Sequence, residues 1–257
     1  MSSEPLGLSP HPGPAPASRR VLAQASAELR TTLGNGEQLL LQLAIPVLVL
    51  VFFTWAPVLD LGTGHRVDFL VPGVLALGVM STAFTGQAIA TGFARRYGVL
   101  KLLGATPLGR GGLLLGKTLA VLATEAAQLI VLLGVGAALG WRPAGQPAVA
   151  LLLVLLGTAA FSGLGLLLAG TLRAEATLGA ANLLYVVFLA IGGVAFPLRL
   201  LPGWLAALAQ ALPIGALTEG LRQAFQPGAS PPWGAALVLG LWAVAALAAA
   251  ALTFRWE

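Results

Sequence analysis

The chain has 257 residues, 58% of them hydrophobic and only 9% charged, with a mean hydropathy of +0.90. A soluble domain carries about 25% charged residues, so a water-facing surface cannot be built from this inventory and the solvent must be mostly lipid. The net charge of +5 is scattered between apolar runs with no basic face interleaved with aromatics, which argues against nucleic acid. Cysteine is absent, which excludes disulfides, thiolate metal sites and cysteine nucleophiles.

Residues 1–17 are rich in Pro and Ser, lack an apolar run, and are expected to be a disordered tail without a secretory leader. From Ser18 the pattern changes. Val21, Leu22, Ala25, Leu29 and Leu33 recur at helical spacing among Arg19, Arg20, Gln24, Glu28 and Arg30. This predicts an amphipathic helix within residues 18–36, lying in the headgroup region and broken at Gly34-Asn35-Gly36. A soluble helix packed on a partner is the alternative.

Residues 37–257 form the expected transmembrane domain. Six apolar stretches lie at Leu39–Leu59, Phe69–Thr91, Leu113–Leu139, Ala148–Leu172, Leu178–Phe196 and Ala235–Phe254, each near the ~20 residues that cross a bilayer. Between the last two, Trp204–Leu212 and Ile214–Phe225 flank Pro213. Each piece is too short to span and too apolar for a free loop, which predicts a pair of short helices dipping into the interface. The fold expected is an all-α polytopic membrane protein with six spans and an external re-entrant hairpin before the last.

With the N-terminus inside, ten basic residues face the cytoplasm: Arg19, Arg20, Arg30, Arg95, Arg96, Lys101, Arg110, Lys117, Arg173 and Arg255. Four face out: Arg66, Arg142, Arg199 and Arg222. This asymmetry places both termini in the cytoplasm. Lys117, one turn into the third apolar run, is expected to snorkel to the cytoplasmic interface, with the hydrocarbon part of that helix starting near Thr118.

Gly111 to Thr118 matches the phosphate-loop pattern G-x-x-x-x-G-K-[ST]. That loop needs a buried strand before it and amides free to turn onto an anion. Here a turn precedes it, three leucines fill its middle, and no later apolar strand ends in an acid able to hold magnesium. The stretch reads instead as a small-residue helix start, with Gly112 and Gly116 admitting a close neighbour. His11 and His65 lie in the tail and an outer loop, and Ser162 has no histidine or lysine at its depth, so an intramembrane enzyme is not expected. Asp60 and Asp68 read as solvated loop charges. Glu125 is the acid within a predicted span. It is read either as a proton or substrate contact or, preferably, as a packing residue bonded to Gln128, Thr124 or a polar group such as Asn182 on another helix. Gln87, Asn182 and Tyr185 read as interhelical bonds or a cavity lining.

The link between the second and third apolar runs carries Arg95-Arg96-Tyr97-Gly98-Val99-Leu100-Lys101-Leu102-Leu103-Gly104, then Thr106-Pro107-Leu108-Gly109-Arg110 and Gly116-Lys117. It resembles the signature of ABC-2 type permeases, in the drug- and antibiotic-resistance branch typified by the daunorubicin exporter. Phe196-Pro197-Leu198, Leu201-Pro202-Gly203-Trp204-Leu205, Pro213 and Leu221-Arg222 look like that family's external hairpin, and Pro46 in the first span agrees. The resemblance covers roughly Val21 to Phe254. One departure is that Ala94 and Arg96 stand where the family commonly has acids, which removes a charge pair expected of the coupling segment.

The resemblance implies an exporter subunit in a bacterial inner membrane, paired with a second copy or a sister permease. It implies coupling to a separate ATPase that holds ATP and Mg, this chain binding no cofactor, and a pathway through spans one, two and five. The residues alone point the same way, because a pump without a nucleotide site needs an external push. In a docking helix over Arg95 to Leu103, Arg95, Arg96 and Lys101 would form a basic face and Val99, Leu100 and Leu103 an apolar one, with Tyr97 in the same segment; a positive-inside anchor without a partner is the alternative. An apolar pathway favours an amphipathic drug, lipid or polyketide-like substrate; haem or glycan export, or a scaffold that transports nothing, stay open.

Overall fold

The computed structural model describes residues 13–56 and 65–253, all helix or connecting turns. The helices are α1 (Ala17–Gly34), α2 (Gly36–Trp55), α3 (Arg66–Val79), α4 (Gln87–Arg96), α5 (Val99–Gly104), α6 (Gly109–Ala138), α7 (Pro147–Thr171), α8 (Ala174–Ile191), α9 (Gly203–Ala211), α10 (Pro213–Phe225) and α11 (Trp233–Thr253). A π-helical stretch, Met80–Gly86, joins α3 to α4, so that Arg66–Arg96 is one continuous rod. Among the described residues five helices are long and apolar enough to cross a membrane: that rod, α6, α7, α8 and α11. The apolar part of α2, Gln42–Trp55, is shorter.

The rod is the post around which the others stand. Its most apolar window is 89% buried, against 28% for α8 and 22% for α11, so those two present most of their surface outward. Leu70, Val74, Leu77, Met80 and Phe84 are sealed inside it. Phe84 meets Phe161 of α7 and Phe188 of α8 at ring-centroid distances of 6.4 and 6.1 Å. On α7 small residues set the spacing: a Cβ on Gly165 would stand 2.8 Å from the Phe84 carbonyl oxygen, and one on Gly163 2.8 Å from Ala246 of α11.

Several expectations need correction. The fifth apolar run is helical only to Ile191, because Gly192 and a left-handed Gly193 turn the chain before Phe196. The third run becomes helical at Gly109 and therefore carries Lys117 inside it. The tail gives way to helix at Ala17; residues 1–12, the span end at 57–59 with Asp60, and Phe254 onward lie outside the described residues.

The α1 helix forms as expected, but a different face is covered. Val21, Gln24, Ala25, Glu28, Leu29 and Thr32 are half-buried while Leu22 and Leu33 are exposed. Gly116 causes the rotation, because α6 is bare there and α1 packs along it: a Cβ on Gly116 would stand 2.7 Å from the Gln24 side chain. Gln24 donates to Glu28 at 2.9 Å, and Glu28 lies 2.7 Å from Lys117 Nζ. Lys117 is 5% exposed and does not snorkel to solvent; an opposite charge on a neighbouring helix serves it instead.

Candidate functional site

The link between α4 and α6 is not one helix from Arg95 to Leu103. Helix α4 ends at Arg96, Gly98 takes the left-handed φ of 73°, and a separate six-residue helix α5 begins at Val99. The arginines therefore stand on the end of the central rod rather than on the short helix, and each has a partner. Arg95 Nη1 donates to the Gly170 carbonyl at 2.9 Å and Nη2 to that of Leu172. These carbonyls end α7, where no intrahelical donor remains. Arg96 forms an ion pair with Glu175 at the start of α8. The acid that the segment lacks in its own sequence thus comes from the α7–α8 turn.

The apolar face of the link also differs from expectation. Leu100 is completely buried and Leu103 half-buried, whereas Tyr97, Val99 and Leu102 are 71%, 42% and 72% exposed. Lys101 is exposed on the same short helix. A local repeat cannot tell which of Leu100, Leu102 and Leu103 faces in when the helix is under two turns long. Arg95→Gln should lower stability by about 1.5–3 kcal/mol, the worth of hydrogen bonds to a charged group. Arg96→Gln should cost about 0–1 kcal/mol, because its pair is exposed; thermal unfolding of both variants checks the difference.

A lateral groove of about 370 Å³ opens between α2, the π stretch and α8. Asn182 and Tyr185 of α8 line it with Ser81 and Thr85 of the π stretch and Ile45 of α2; Glu37 and Asn35 stand at the α1–α2 break. The extra residue in each π turn swings Ser81 and Thr85 to this side while Thr82 points to the other.

The remaining polar candidates go elsewhere. Thr82 donates to Gln128 Oε1 at 2.6 Å, and Gln128 Nε2 donates to the Gln42 carbonyl at 2.8 Å, tying the rod to α6 and α2. Glu125 is 1% exposed; its Oε1 lies 2.7 Å from the Thr158 hydroxyl, a polar group on the neighbouring helix α7, rather than from Gln128, Thr124 or Asn182. Gln87 is buried in a pocket between α1, α2, α4 and α6, apart from Asn182 and Tyr185. Gln42 was legible by the criterion that selects Gln87, a polar side chain inside an apolar run. Thr158 and Glu175 were not, since only the fold brings them to their partners.

The stretch resembling a phosphate loop is helical from Gly109 onward, and its lysine is buried against Glu28. From Leu113 onward its amides lie within the helical hydrogen-bond ladder and cannot turn onto an anion as a loop would.

No curated protein sequence matches the chain. The family model described as ABC-2 type transporter matches residues 20–225, running from α1 through the α4–α6 link to the end of α10. A match of that extent, on a multi-pass bundle with this link and these two short helices before the last span, makes the chain a member of the ABC-2 type transporter family, a membrane component of a transport system and not itself the catalytic part.

Proposed function

We propose that the chain is the permease subunit of an ATP-driven exporter, pushed by a separate ATPase that binds ATP and Mg. The observation that carries this reading is the exposed trio Tyr97, Val99 and Leu102, beside Lys101 on a link otherwise bolted to the bundle. Leu100 anchors the link from inside, and Arg95 and Arg96 clamp the end of α4 to the α7–α8 turn. A push on the trio is therefore delivered to the central rod and to α8 together, and these are two of the three walls of the lateral groove.

The groove suits an amphipathic substrate: Ile45 and Ile89 offer apolar surface, and Asn182, Tyr185, Ser81 and Thr85 offer hydrogen bonds. Among the described residues, the one charged side chain on it is Glu37, which favours a neutral or cationic molecule over an anion. Since α8 and α2 leave this side uncovered, a second copy or sister permease would complete the pathway. The sixth crossing is α2, whose 20 residues span about 30 Å at ~1.5 Å each, and α9–α10 form the external hairpin, with Trp204 of α9 exposed as an interfacial anchor. Both termini are cytoplasmic in a bacterial inner membrane. Reporter fusions should read cytoplasmic after Glu257 and periplasmic near Gly145; a cytoplasmic signal at Gly145 rules out this topology.

The coupling reading is tested by Tyr97→Asp with Leu102→Asp. Both side chains are exposed, so the bundle should unfold at the wild-type temperature. Burying two carboxylates at a docking surface costs several kcal/mol, so ATPase co-purification should fall at least ~100-fold, about 2.8 kcal/mol. Wild-type co-purification and transport would reduce the link to an anchor.

A further inference from the structure

Helices α1, α2, α4 and α6 and the π stretch converge on a small pocket of about 40 Å³. Around it stand Glu28, Gln42, Gln87, Thr91, Lys117 and Thr124. Gln87, Thr91 and Lys117 are 5%, 0% and 5% exposed. Lys117 reaches Glu28 at 2.7 Å, and the Thr124 hydroxyl donates to the Ala120 carbonyl. Among the described residues, both amide heteroatoms of Gln87, the Thr91 hydroxyl and Gln42 Oε1 are buried without a protein partner.

Buried polar atoms left without partners are costly, and their gathering on Gln87 and Thr91 points to something that both donates and accepts. An ammonium also carries three protons, more than a single carboxylate oxygen can take. A cation placed here would sit beside Lys117 and an anion beside Glu28, so neither sign suits the site. Neutral water suits it: a water needs at least about 10–15 Å³, so the pocket has room for about three.

We propose that this pocket is a bound-water site, holding a cluster that hydrates the Lys117–Glu28 pair and bridges Gln87 and Thr91 of α4 to α6 and α2. The cluster completes the polar accounting of a charged pair placed inside the bundle. It also joins α4 to α6 through exchangeable bonds, so these helices can shift without a direct bond having to break.

Thermal unfolding of the full chain in detergent reads the sign. In a dry pocket, Thr91→Val and Gln87→Met would each remove an unpaired polar group and raise Tm. In a hydrated one they strip a water of its partner, and each should lower Tm by about 2–4 °C per kcal/mol lost, while Thr91→Ser stays at the wild-type value. A rise in either variant overturns the proposal. Melting in sodium chloride and in choline chloride should coincide; a sodium-dependent rise in Tm that vanishes in Thr91→Val would assign a cation site instead. X-ray radiolysis, which oxidises side chains beside bound water, needs no variant. It should label Val121, a half-buried lining residue of the pocket, above the similarly half-buried Val135 further along α6, and equal labelling of the two overturns the water site.

Discussion

Exchange of Lys117 for methionine is expected to lower the stability of the chain by about 3–5 kcal/mol, the usual cost of removing one member of a buried ion pair. The size follows from the environment: Lys117 is 5% exposed, and its loss leaves Glu28 facing α6 without a counter-charge. Glu28 keeps 22% of its side chain exposed and accepts from Gln24, so Glu28→Gln should cost less than Lys117→Met. The double variant should recover much of the loss, because no unpaired charge then remains at the joint. Thermal melts of the four proteins measure that coupling. Additive losses would mean that the pair does not hold α1 to α6. The result also bears on the phosphate-loop look-alike, because a lysine with this duty must show in the melting curve of the permease alone, with no nucleotide present.

Arg222→Met should be as damaging. The guanidinium donates to the carbonyls of Phe69, Gly193 and Val194 at 3.2, 2.6 and 3.0 Å, and to Glu219 at 2.6 Å, and lies 3.5 Å from the Phe69 ring centroid. The Gly193 and Val194 carbonyls in the turn after α8 thus depend on one side chain of α10. Leaving them unpaired costs about 1–3 kcal/mol each, a total of at least ~2 kcal/mol. Arg222→Lys should not restore stability, since a single ammonium cannot fan out to three carbonyls as the planar fork does. Gly73→Ala attacks the same junction from α3, where a Cβ would stand 2.3 Å from the Val194 carbonyl oxygen. Comparable losses in both variants would locate the weakness at this junction. An Arg222→Met protein melting within 2 °C of wild type, at most about 1 kcal/mol by the usual scaling (~2–4 °C per kcal/mol), would show that the hairpin is held by apolar packing alone.

Much of this protein is determined by composition and local pattern. Scarce charge and long apolar runs compel membrane-crossing helices, since in lipid only a helix or a closed barrel satisfies its own backbone. The positions of α3 to α4, α6, α7 and α11 follow to within a few residues from hydropathy, and α9 and α10 from being too short to span. The basic link with its Thr-Pro-Leu turn is likewise visible because its residues are neighbours in sequence. What the sequence alone could not decide is which groups meet across helices. Arg96 finds Glu175 beyond three intervening helices, Glu125 finds Thr158 on α7, and Lys117 turns inward to Glu28. The α1 helix half-buries Gln24 and Glu28 and exposes Leu22 and Leu33, since Gly116 leaves room for it on α6. In the short link, Leu100 goes in and Leu102 out, against an even choice in the pattern. The reason is common to all of them. In a lipid environment hydrophobicity places a helix in the membrane but does not orient it there; rotation and pairing are set by small-residue contacts and the few polar partners, and these exist only once the helices have packed.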